Sequence, residues 1–124
     1  MPETWLDVAR DARKAASRLL TENHYRSAVA RAYYAAYSKV THELVATAGL
    51  PMPPGREGPN HVRVRRVIES SMPDMPQAKR DKLSEILGRL YAIRIEADYR
   101  PSSAVGITEA RAAISLMTTI FDSF

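Results

Sequence analysis

From Ser27 to Tyr37 the chain reads SAVARAYYAAY, and this stretch constrains the fold more than any other. At about 100° of rotation per residue, small side chains fall on nearly every side of a helix built from it, so no single apolar stripe separates a wet face from a dry one. Other helices can approach such a rod closely from more than one direction, which places it inside a helical bundle. Tyr33 and Tyr37 share a face at four-residue spacing, while Tyr34 faces elsewhere. The plainest reading of the three is packing, with each hydroxyl directed to water or to a polar partner.

The rest of the chain supplies the neighbours. Trp5, Val8, Ala9, Ala12, Ala16, Leu19 and Leu20 predict an amphipathic helix from Glu3 to about Thr21. Asn23 is expected to cap the second helix, from His24 to about Ala48, with Gly49 ending it. Residues 50–59 form a long irregular segment whose GREG lacks the lysine and the preceding strand of a phosphate-cradling loop. A shorter third helix follows Asn60 and runs to about Ser71, with Val64, Val67 and Ile68 as its apolar side. Met72 to Pro76 breaks the third helix and leads into a fourth from about Gln77 to Tyr99, in which Gly88 is tolerated and permits close approach of a neighbour. Thr108 is expected to cap the last helix, buried through Ala110, Ala113, Ile114, Met117, Ile120 and Phe121. The fold class expected is all-α, a mostly antiparallel bundle of four main helices plus one short extra helix, forming a single domain over residues 1–124.

Composition removes several kinds of function. With no cysteine there is neither a disulfide nor a thiolate metal site nor a cysteine nucleophile. His24, His42 and His61 are scattered, no HExxH or GxSxG occurs, and neither a metal nor another cofactor is expected. No apolar run approaches the roughly 18 residues needed to span a bilayer, so a soluble, cytoplasmic protein without membrane contact is expected. The net charge of +4, carried mainly by arginine, permits contact with phosphate without requiring it.

One residue breaks the pattern. Leu83, Ile86, Leu87, Leu90, Ile93 and Ala97 line one face of the fourth helix, and Arg94 falls near the centre of that face. A cation on an apolar seam needs a partner, because an isolated ion in low dielectric costs several kcal/mol. Asp98, one turn on, can reach it, and Tyr99 brings a phenol alongside. The group reads either as a structural ion pair at the helix end or as a functional contact. A second candidate is the basic run Arg63, Arg65 and Arg66, with Arg56 just before it and His61 opening the third helix. It is either a solvated helix face or a phosphate-facing surface.

The combination of RAYYAAY in the second helix, a histidine opening the third and RIEADYRP ending the fourth resembles the HEPN family of small prokaryotic helical proteins. The similarity is to the branch marked by an RAYYA helix and a later RxxADY segment, and it extends from Ala12 to Phe121. The resemblance implies an all-helical bundle, a homodimer, and a place beside a small nucleotidyltransferase partner in a two-component toxin–antitoxin module. Active members of the wider family are metal-independent endoribonucleases with an arginine followed four to six residues later by histidine.

Counting from Arg94, four to six intervening residues lead to Tyr99, Arg100 and Pro101, so the family's histidine is missing. Arg94 carries over as the stabiliser of phosphate charge, whereas the residue that would activate a ribose hydroxyl has no direct counterpart. Two expectations follow from the resemblance. In the preferred one, the chain is a non-catalytic or weakly catalytic module in which Arg94, Asp98 and Tyr99 order a homodimer interface or engage a partner protein, a nucleotide or RNA. In the other, the chain is a metal-independent endoribonuclease toxin with a catalytic group of Arg94, Asp98, Tyr99 and His61, while Arg63 and Arg66 bind the RNA.

Overall fold

A computed structural model of the chain describes residues 4–46, 61–70 and 75–124. They form α1 (Trp5–Thr21), α2 (Tyr25–Ala46), α3 (His61–Ser70), α4 (Gln77–Tyr99) and α5 (Ile107–Asp122). The architecture is an all-α bundle of the four long helices, with the short α3 packed mainly on α4. Among the described residues no helix is long and apolar enough to cross a membrane. The 49–59 segment lies outside the described residues.

The small-residue helix is the centre of the molecule. α2 touches each of the other four helices, and Ala28, Val29, Ala32, Ala35, Ala36, Val40 and Leu44 are fully buried along it. α5 packs against α1, α2 and α4, bringing Ala110, Ala113, Met117 and Ile120 into the core. α1 and α4 both pack against α2. The fully buried Leu83, Leu87 and Leu90 tie α4 to the same core, each worth roughly 1.5–3 kcal/mol in removed apolar surface.

Local signals at the helix ends correct two expectations. Asn23 terminates α1 instead of capping α2: its φ is 65°, its N–H donates to Leu20 O at 3.1 Å, and the His24 N–H donates to Leu19 O at 2.9 Å. This paired closure needs a left-handed residue just past the helix, a conformation asparagine accepts more readily than most side chains. Thr108 does not cap α5. The helix begins at Ile107 with Gly106 as N-cap, and the Gly106 carbonyl accepts the first rung from Ala110 N at 3.1 Å. Thr108 is therefore already inside the first turn, where Glu109 complements the helix dipole. At the start of α1, Thr4 and Asp7 form a capping box that satisfies two otherwise orphaned donors.

The basic run on α3 also differs from both of its expected roles at one position. Arg65 lies across α4, its Nε donating to Ser84 Oγ at 3.1 Å. Its guanidinium rests against Gly88, where an added Cβ would stand 2.8 Å from Arg65 Cζ. Gly88 thus provides the close approach, and what approaches is a side chain. Arg66 is exposed on α3, and the side chains of His61 and Arg63 lie outside the described ones.

Candidate functional site

Along α4 the apolar seam runs through Leu83, Ile86, Leu87 and Leu90, and Arg94 continues it beside the tyrosines of α2. Arg94 sits at the edge of the core, its side chain 29 % exposed, and Asp98 is similarly accessible. Arg94 Nε donates to Asp98 Oδ2 at 3.1 Å, and Nη2 donates to the Tyr99 hydroxyl at 3.4 Å. Arg94 Cζ stands 5.3 Å from the ring centre of Tyr33, 6.0 Å from that of Tyr91 and 5.6 Å from that of Tyr99.

One carboxylate thus holds the cation while three rings flank it. A guanidinium is planar and weakly hydrated, so aromatic faces compensate part of the water it loses. Tyr99 is 63 % exposed and presents the group to the outside.

Behind the cation runs a row of rings. Tyr33 packs on Tyr91 at 5.4 Å between centres and on Tyr37 at 6.1 Å, and Tyr37 meets the edge of Trp5 at 6.2 Å. Tyr34 reaches the same row, stacking on Tyr37 at 6.4 Å. This row bridges α1 to α4 across α2. Burial pushes the Tyr33 phenol far above its ordinary value, and the Arg94 cation pulls it back only in part. Burial also raises Tyr37. Both stay neutral at physiological pH.

The segment carrying Asp98 and Tyr99 is anchored by a residue that sequence reading passes over. Arg26, in the first turn of α2, donates from Nη1 to the carbonyls of Glu96 at 3.1 Å, Ala97 at 2.9 Å and Arg100 at 3.2 Å. From Nη2 it reaches the carbonyls of Pro101 at 3.2 Å and Ser103 at 2.5 Å. The last turn of α4 contains no basic residue, so Arg26 brings both the donors and the positive charge that its terminal carbonyls lack. Glu96 secures the same turn, pairing with Arg100 at 3.1 Å and accepting from Ser103 Oγ. A signal for Arg26 does exist in the sequence: a cation in the first turn of a helix opposes the helix dipole, which suggests a partner elsewhere.

Of the candidate residues, Arg94, Asp98 and Tyr99 come together on adjacent turns of α4, and Tyr33 and Tyr91 join them. Tyr91 was legible as the residue one turn before Arg94 on the same face. Among the described residues no group of three His, Cys, Asp or Glu side chains gathers as a metal site. The arrangement can fix a planar cation at a surface and offer its free edge, together with an exposed phenol, to an acceptor.

No curated protein and no solved structure matches the chain. The family model described as the HEPN domain matches residues 2–123, nearly the whole sequence, and the chain therefore belongs to the HEPN domain family.

Proposed function

We propose that this chain is a non-catalytic member of its family. It acts as a homodimer within a prokaryotic toxin–antitoxin or nucleotidyltransferase-associated module and engages its partner protein, or a nucleotide or RNA, through Arg94, Asp98 and Tyr99. The observation that supports this reading is the Arg94 guanidinium, fixed by Asp98 and Tyr99, flanked by three rings and still 29 % exposed. A cation ordered before binding loses little further freedom when an acceptor arrives, which favours a contact role. Proton transfer has less support. Asp98 Oδ2 is already engaged by Arg94, and burial holds Tyr33 and Tyr37 in their neutral forms.

The test uses wild-type protein and Arg94→Ala in parallel. Sizing with mass detection is expected to show a dimer for the wild type and a shift towards monomer for the variant, or a loss of binding to a single-stranded RNA oligonucleotide. Incubation with RNA in EDTA is expected to leave the RNA intact in both. Cleavage by the wild type that disappears in Arg94→Ala would replace this reading with the endoribonuclease one, and identical behaviour of the two proteins in every assay would remove Arg94 from the function.

A further inference from the structure

Asp98 and Tyr99 belong to the last turn of α4, the part of a helix most prone to fray. Two features work against order there. An acidic side chain at a helix C-terminus is disfavoured by the helix dipole, and the final carbonyls have no partner inside the helix. Arg26 answers both. Its guanidinium spans carbonyls from Glu96 to Ser103, binding the end of α4 and the turn beyond it to the start of α2. Arg26 is only partly exposed and touches none of the acceptors that Arg94 uses.

We infer that Arg26 is the positioning residue of the Arg94 group: by gripping these five carbonyls it fixes the backbone from which Asp98 and Tyr99 reach back to Arg94. The inference rests on the contact role proposed above for Arg94 but makes a separate claim about what holds the contact in shape. Planarity matters as well as charge. A lysine ammonium is compact and cannot spread over carbonyls drawn from eight consecutive residues, so Arg26→Lys retains the charge and loses most of the grip. Arg26→Gln loses both.

The direct readout is the side-chain Nε–H resonance of Arg94 in 15N-labelled protein, assigned by its absence in Arg94→Lys. In the wild type it is expected to be sharp and slow to exchange, because it donates to Asp98 Oδ2. Both Arg26 variants are expected to broaden it or accelerate its exchange at least tenfold, Arg26→Gln more than Arg26→Lys, with the amide spectrum of α1 and α5 unchanged. Affinity for a fluorescein-labelled single-stranded RNA oligonucleotide should fall about tenfold in parallel. An Arg94 Nε–H signal that is unaltered in both variants, with only the melting temperature lowered, would overturn the inference and leave Arg26 a purely structural clamp.

Where the variants do not fold, the wild type decides. Separately resolved, slowly exchanging Arg26 Nη protons support the grip, and a single rapidly averaged signal refutes it. Should Arg94→Ala change neither oligomeric state nor RNA binding while the Arg26 variants still disturb the Arg94 resonance, the contact reading fails and the positioning role stands.

Discussion

The guanidinium of Arg94 stands over the ring of Tyr33, with Cζ 5.3 Å from the ring centre, so a cation of α4 leans on a residue that belongs to the core face of α2. The contact links charge placement to helix packing. A double-mutant cycle with Arg94→Met and Tyr33→Leu is expected to give a coupling of about 1 kcal/mol in chemical denaturation. Tyr33→Phe, which keeps the ring face, should retain most of it. Strict additivity in the cycle would show that the pair is close without interacting.

Alkaline titration examines the same tyrosines through their protons. Burial raises the phenols of Tyr33 and Tyr37, so the folded state favours their neutral forms more than the unfolded state does. Their contribution to stability is fully present below the ordinary tyrosine value of about 10 and is lost as the pH rises towards their folded values. Absorbance at 295 nm should therefore show two phenols ionising only together with the loss of helical circular dichroism. Tyr33→Phe is expected to move the alkaline unfolding midpoint upwards, and full ionisation of six tyrosines in a still-folded protein would contradict this.

How much of this was legible in sequence follows from the range of each interaction. The bounds of α4, Gln77–Tyr99, agree with the sequence reading because Pro76 and Pro101 flank the helix with residues that cannot continue it. Arg94, Asp98 and Tyr99 were legible as a group because they lie on adjacent turns of one helix. Asn23 was misplaced because its side chain suits both an N-cap and a left-handed C-terminus, and only the backbone hydrogen bonds distinguish them. The start of α5 was misplaced because a backbone cap at Gly106 prevailed over the side-chain preference of Thr108. Arg26 was missed because its acceptors are backbone carbonyls some 70 residues away, which no periodicity encodes.

Gly88 and Arg65 give a prediction whose size depends on the background. Alanine is a better helix residue than glycine by about 1 kcal/mol, but a methyl group at position 88 meets the Arg65 guanidinium at 2.8 Å and must displace it. In the wild type, Gly88→Ala is expected to gain little or nothing in stability as the Arg65 contact with Ser84 is disturbed. In an Arg65→Ala background the same substitution should stabilise by about 1 kcal/mol. Equal effects in both backgrounds, measured from urea midpoints, would mean that the guanidinium does not rest on Gly88 in solution.

At the start of α1, the acid limb of stability should carry the signature of one carboxylate. Hydrogen bonds from the backbone and side chain of Thr4 hold the Asp7 carboxyl below its ordinary value of 3.8. With the folded value depressed, the contribution of Asp7 is present above about pH 4 and is lost as the pH falls through its folded value. Asp7→Asn should lower the melting temperature at neutral pH, and the gap to the wild type should narrow as the pH falls through the depressed folded value of Asp7. Thr4→Ala, which removes the cap itself, is expected to cost about 1 kcal/mol at neutral pH. Melting curves collected from neutral to strongly acidic pH distinguish the cases: a gap for Asp7→Asn that persists undiminished at the acid end would show that something other than the ionised cap stabilises the start of α1.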